Sequence, residues 1–183
     1  MEEQRQIYIV ISQTGTILSR IIKAVTRAVY NHASISVDPT LQTMYSFGRM
    51  HPYNPVWGGF VKESPAYGTF HRFQNTKIVV LALPVGEQVY QDIKRYLEEM
   101  YDHRAQYTYN YIGLFLALFH LAYQSRDHYY CSEFVRHVLA EFDMIGQGEI
   151  TGVVHPTNFM QLPEWRVVYQ GSLQDFACES LIG

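Results

Sequence analysis

Asp127-His128-Tyr129-Tyr130-Cys131-Ser132-Glu133-Phe134-Val135 sets a cysteine at the junction between a polar loop and an amphipathic helix. Apolar residues recur beyond it at Phe134, Val135, Val138, Leu139 and Phe142, the spacing of one helical face, so the pattern predicts that Cys131 stands at or just before the first turn. Bare N–H groups and the positive end of the helix dipole at such a place favour thiolate over thiol, and the thiolate is the form that attacks a carbonyl carbon. A cysteine on a helix, taken alone, is more often a buried structural residue. This one is set apart by its neighbourhood: two tyrosines precede it, polar residues flank it, and the N-terminal segment holds a histidine in a context suited to a base.

The chain's 183 residues read as one domain, residues 1–183, large enough to bury a core without disulfide or metal staples. A net charge of −3 and a pI near 6.2 show none of the basic footprint of a nucleic-acid binder, so no nucleic-acid partner is expected. Cys131 and Cys178 are the two cysteines, and without paired spacing they support neither a disulfide framework nor a four-ligand zinc site. No metal and no cofactor is expected, and a reducing cytoplasm suits the composition. The polar, acidic start, Met1 to Gln6, with a short apolar run at Ile7 to Ile11, lacks the order of a secretion signal. Fifteen tyrosines and ten phenylalanines fit a ring-rich core or a wide apolar cleft equally well.

From the N-terminus, Gln6 to Ser12 reads as a short strand or a buried extended lead-in, and a helix capped by Thr14 or Thr16 follows to Tyr30-Asn31. His32 to Asp38 alternates with period two, Pro39-Thr40 begin a turn, and Thr43 to Gly48 returns, a hairpin with His32 near its open end. Arg49 to Ser64, rich in Pro, Gly and aromatics, reads mostly as a loop with strand character at Phe60 to Lys62. Tyr67 to Phe73 and Lys77 to Leu83 read as two further strands, and Glu87 to Tyr101 as a helix apolar on one face. Tyr111 to Tyr123 contains no acid, Lys or Arg, but it falls short of the ~20 residues a membrane span needs and reads as a helix buried under the sheet, with peripheral membrane contact as the minority alternative. The domain closes with Ile150 to Val154, Pro156 to Leu162, a strand at Arg166 to Tyr169, and a tail over an edge. The fold class predicted is α+β, with strands near 32–38, 43–48, 67–73 and 77–83 in a central antiparallel sheet and the Cys131 helix packed across it.

A thiol hydrolase needs a thiolate at a helix start, an imidazole within hydrogen-bond reach, and a polar group on the imidazole's other nitrogen. His32 opens a strand whose partner carries Ser46, with Tyr45, Arg49 and Glu63 as rival groups for the second imidazole nitrogen. His51, His71, His103, His120, His128, His137 and His155 are also available, and a lone histidine is usually a satisfied surface or core residue.

Leu18 to Thr26, Asn31-His32-Ala33-Ser34-Ile35, Tyr45-Ser46-Phe47-Gly48-Arg49 and Tyr130-Cys131-Ser132-Glu133-Phe134-Val135 together resemble the circularly permuted papain-like cysteine hydrolases of the NlpC superfamily, the YiiX and YebB-like group related to lecithin retinol acyltransferase. The resemblance covers roughly residues 6–170 and rests on several short matches in one order, with the histidine strand before the cysteine helix. It implies Cys131 as nucleophile and His32 as general base. The orienting position falls on the next strand, where this chain offers Ser46, a departure, since serine brings no charge to steady an imidazolium. An oxyanion hole from the Cys131 N–H and a tyrosine, Tyr129 or Tyr130, is implied, with Tyr45 a further groove candidate.

Hydrolysis or acyl transfer at an amide or ester carbonyl through a thioester follows from that resemblance. The substrate is a small-molecule, lipid-like or peptide compound, and the uncharged Tyr111 to Tyr123 segment with the aromatic Tyr53 to Phe60 loop suits an apolar acyl group better than a charged peptide. The alternative is a non-catalytic module that uses the same groove to bind an apolar ligand or protein partner.

Overall fold

The computed structural model describes residues 5–13, 29–51, 58–109, 128–146 and 148–179. The helix expected before Tyr30, most of the aromatic loop, and the apolar helix expected over Tyr111 to Tyr123 lie outside these residues. The described parts form an α+β structure around one sheet: β1 (Arg5–Gln13), β2 (His32–Ser36), β3 (Met44–Arg49), β4 (Gly58–Glu63), β5 (Lys77–Val85), β6 (Thr108–Tyr109), β7 (His128–Tyr129) and β8 (Arg166–Ser172). Their order across the sheet is β7-β6-β4-β3-β2-β1-β5-β8. The six strands from β4 to β8 pair antiparallel, and the two-residue strands β6 and β7 pair parallel at one end.

β1 is central and buried on both faces. Ile7, Ile9 and Ile11 point to one side and Val10 to the other, as the period of two requires. On the first face they meet Ala33, Ile35, Phe47, Phe60, Val79 and Leu81, covered by two helices, α2 (Glu87–Asp102) through Ile93, Leu97 and Met100, and α3 (Cys131–Glu141) through Phe134, Val135, Val138 and Leu139. Three rings lock α3 to the sheet: Phe134 lies 5.4 Å from Phe47 and 5.0 Å from Phe60, and those two lie 5.3 Å apart. Burial of each such side chain stabilises by about 1.5–3 kcal/mol. On the second face, Val10, Leu41, Met44, Phe70, Ile78, Val80 and Leu173 form a smaller cluster, closed by α1 (Gly68–Arg72) and α4 (Leu173–Glu179).

Two local readings of the sequence change. Tyr67 to Phe73 is a short helix rather than a strand: Gly68 carries φ of +69°, which breaks any extended run, and only Phe70 of the five helical residues is buried, a one-sided pattern that aromatic content disguised. Gly58 to Glu63 is a full strand, paired with β3 from Arg49↔Gly58 to Met44↔Glu63. Its two leading glycines carry a loop's composition, but the ladder to β3 supplies the hydrogen bonds that hold them extended. The tight β2–β3 connection is held by Asp38, which accepts bonds from the Thr40 N–H at 2.9 Å, the Thr40 hydroxyl at 2.7 Å and the Thr43 N–H at 3.1 Å.

Gly68 and Gly86 separate backbone strain from crowding, because a Cβ at either would meet nothing within 4 Å while only Gly68 has positive φ. Gly68→Ala is expected to lower unfolding free energy by about 1–2 kcal/mol, and Gly86→Ala to change it by only a few tenths. Urea melts of the two variants measure the difference, and equal midpoints would refute the assigned backbone at Gly68.

Candidate active site

Cys131 is the first residue of α3, and its sulfur is almost enclosed, with 4% of the residue exposed. The first-turn N–H groups have no carbonyl four residues back, so they point out of the helix start; the first backbone bond is Phe134 N–H to Tyr130 C=O, 3.0 Å. The helix start is held by one remote peptide. Val154 donates its N–H to the Tyr130 hydroxyl (3.2 Å) and accepts from the Ser132 hydroxyl (2.7 Å) at its carbonyl.

By strand alternation, His32, Ser34, Ser46 and Glu63 all project to the second face of the sheet, whereas α3 covers the first. Cys131 still reaches His32, because β2 and β3 share a single registered pair, Ile35↔Tyr45. Toward His32 the two strands part, and the Cys131 sulfur comes within electrostatic reach of the Ala33 and Ser132 N–H groups. The side chain of His32 faces the same sulfur closely enough for each group to shift the other's pKa.

The other side of the imidazole meets Glu63. His32 Nε2 lies 3.1 Å from Oε1 and 3.0 Å from Oε2, and the Ser34 hydroxyl donates to Oε2 at 2.7 Å. With Nε2 held by the carboxylate, Nδ1 is the nitrogen left for the thiol. Side-chain exposure of 13% for His32 and 10% for Glu63 makes this a shielded pair, and the Phe70 ring stands 6.2 Å from the imidazole on the second face. The residue at 48 is small for a reason: a Cβ there would stand 3.3 Å from Glu63 Oε1 and 3.3 Å from Ser46 Oγ.

Electrostatics run along the same line. Burial works to lower the His32 pKa, but the Glu63 carboxylate and the Cys131 sulfur overcome it and hold the imidazole well above its ordinary value. Burial works to raise Glu63, and His32, Ser34 and Ser46 bring it below the ordinary value instead. Burial likewise pushes the Cys131 thiol up, and the His32 charge, its hydrogen bond, and the Ala33 and Ser132 N–H groups bring it down. All three shifts run toward the charged forms, thiolate, imidazolium and carboxylate.

No model of a known protein family matches the chain. None of the curated proteins is similar to it. Among solved structures, the chain is similar to the metalloprotein yiiX from Escherichia coli O157:H7, at 13% identity and a TM-score of 0.49, over 94% of this chain and 99% of that one. Among the described residues, no group of three or more His, Cys, Asp and Glu is placed to hold a metal ion. No helix of the described residues is long and apolar enough to cross a membrane.

Of the residues singled out in the sequence, Cys131 and His32 come together. Ser46 does not take the second imidazole nitrogen: it is fully buried beside Glu63, makes a contact that helps keep the carboxylate ionised, and forms no hydrogen bond of ordinary geometry. Glu63, a rival for that place, holds it, because β4 is a strand in register with β3 and not a loop. Tyr130 has its hydroxyl on the Val154 N–H and its pKa pushed up to about 12 by burial, so it secures the helix start. The Tyr129 ring packs 5.3 Å from Phe47 and 5.2 Å from His137. Tyr45 lies in the first-face core, stacked 6.1 Å from Phe60, with its pKa raised to about 12 by burial first and by Glu98 next. Cys131, at the helix start as its position in the sequence predicts, is buried there.

The pKa directions set the sign of a titration. Thiolate absorbance of Cys131 is expected to persist below the ordinary thiol range, and Glu63→Gln, which removes the charge that holds His32 protonated, is expected to move it upward. His32→Ala is expected to move it further upward, since burial is then opposed only by the Ala33 and Ser132 N–H groups. Ultraviolet thiolate titration of the three proteins reads this without needing reagent access, and coincident curves would show that His32 and Glu63 do not act on the thiol.

Proposed function

We propose that this chain is a thiol hydrolase or acyltransferase of the circularly permuted papain-like, NlpC-type class, acting on an amide or ester carbonyl through a Cys131 thioester. The observation that carries the reading is the line Cys131–His32–Glu63 at a helix N-terminus, with the thiol pKa lowered and the imidazole pKa raised despite burial. Structural cysteines in apolar surroundings shift the other way.

In this reading the Cys131 thiolate adds to the carbonyl carbon, and the oxyanion is met by the Cys131 N–H at the head of α3. The His32 imidazolium gives its proton to the departing amine or alcohol, and the carbon–heteroatom bond breaks to leave the acyl thioester. The now neutral imidazole then takes a proton from water, or from an acceptor alcohol or amine, which attacks the thioester and releases thiolate. Glu63 keeps the imidazole aimed and steadies its positive charge through both steps. The histidine strand precedes the cysteine helix in the chain, the order of the permuted group. The enclosed sulfur suits a slender acyl group, in keeping with a lipid-like substrate, and the cytoplasm is the proposed compartment.

The same enclosure favours a second reading, a binding module that keeps the fold and holds an apolar ligand or a protein partner in the groove. Activated acyl esters of increasing chain length separate the two. Intact-mass spectrometry is expected to show one acyl group on the wild type and none on Cys131→Ala. His32→Ala is expected to slow acylation at least about a hundredfold, and Glu63→Gln by about tenfold, the range of general acid–base and orienting contributions. An unmodified wild-type protein across the whole ester series would favour the binding module.

A further inference from the structure

Beside Glu63 the sheet opens into a cleft of about 220 Å³, lined among others by Arg49, Lys62, Thr69, Tyr101 and Arg104. Among the described residues β4 pairs with β6 only at Gly59↔Thr108, and no described strand lies beside the edge from Phe60 to Glu63. The end of α2, the following turn and the start of α1 stand off from that edge and form the far wall.

Two of the cations contact the same aromatic ring. Lys62 Nζ is 4.3 Å and Arg104 Cζ 4.5 Å from the centre of the Tyr101 ring, which places the two charges within about 9 Å of each other. Lys62 makes ring contacts to Tyr101 and Tyr45 and, among the described residues, no hydrogen bond, so its three N–H donors are available to a ligand. Arg104 spends one N–H on the Tyr101 carbonyl at 2.9 Å, and the rest of its guanidinium is exposed. Arg49, at the end of β3, also lines the cleft but has a partner of its own. Glu63 is the one acid among the lining residues, and its charge is met by His32. Glu98 and Asp102 on α2 act on the nearby Tyr45 but do not line the cleft. A positive cleft on a chain of net charge −3 runs against the protein's overall sign.

We propose that this cleft binds a phosphate group, the anionic part of the compound whose acyl bond is presented to Cys131. A carboxylate offers two oxygens in one plane, suited to a single guanidinium fork. Here the donors come from β4 and the turn after α2, with Thr69 of α1 lining a further wall, and a tetrahedral dianion has enough oxygens to meet donors from several directions. Its place at the Glu63 end of the Cys131–His32–Glu63 line would set the phosphate at one end of the substrate and the reacting carbonyl at the other. That it belongs to a substrate rests on the thiol reading; the binding of phosphate does not.

Binding is tested without turnover, in Cys131→Ala, so a negative result here and a failure of thioester formation are separate outcomes. Isothermal titration with inorganic phosphate and with glycerol 3-phosphate is expected to show saturable binding that weakens with salt. Lys62→Gln/Arg104→Gln is expected to weaken it by about tenfold or more, and Arg104→Lys to retain most of it. Tighter binding of the ester identifies an organic phosphate as the ligand, and equal binding identifies the free ion. On the unmutated chain, phosphate is expected to protect Lys62 from an amine-acylating reagent, read by peptide mass spectrometry, which keeps the test open if the double variant does not fold. No saturable binding of either phosphate, or equal affinity in the double variant, or unprotected Lys62, would overturn the proposal.

Discussion

The candidate site depends on a buried imidazole set between a carboxylate and a thiol, each shifted toward its charged form. Charged side chains removed from water are costly unless each is met by a partner of opposite sign and by hydrogen bonds. His32 has both Glu63 oxygens at about 3 Å and interacts electrostatically with the Cys131 sulfur. The carboxylate is satisfied in turn by the Ser34 hydroxyl, and the sulfur lies within electrostatic reach of two backbone N–H groups. Each of the three shifts has at least one of the other two members among its causes.

These three residues span the sheet. The helix bearing Cys131 is fastened to the first face by Phe47, Phe60 and Phe134, while His32 and Glu63 stand on the second face under Phe70. Complete pairing between β2 and β3 would separate the two sides with a continuous ladder. One registered pair in place of several opens the ladder at its end, brings the Ala33 N–H within electrostatic reach of the sulfur, and lets the first turn of α3 meet the imidazole. The site is therefore a product of a missing stretch of sheet, as much as of the side chains that line it.

Rigidity is supplied from a distance. Val154 holds the residues on both sides of Cys131 by its N–H and its carbonyl, and it is itself buried in the first-face core. Burial fixes the Val154 peptide, the peptide fixes Tyr130 and Ser132, and the sulfur between them has little freedom of its own. Such positioning lowers the reorganisation a nucleophile needs before it reacts.

The helix after Cys131, the hairpin that begins at His32 and the buried run of β5 were legible in the sequence, because a period of 3.6 or 2 in apolar residues is a local property that burial on one face imposes. The thiol's place at a helix start followed from the same periodicity. What only the tertiary structure decided was the identity of the third group and the enclosure of the sulfur. Gly58-Gly59 carry the composition of a loop, and it is the ladder to β3 that makes them a strand and so brings Glu63 level with His32. Ser46 sits on the expected strand and even on the expected face, but its side chain is too short to compete with a carboxylate that spans the gap. Tyr67 to Phe73 looked like a strand until Gly68 turned the backbone, and that turn is what sets Phe70 over the imidazole. Local pattern determines which face of an element is buried; which residues of distant elements then meet depends on register and on where pairing stops, and neither is written in any short stretch of the chain.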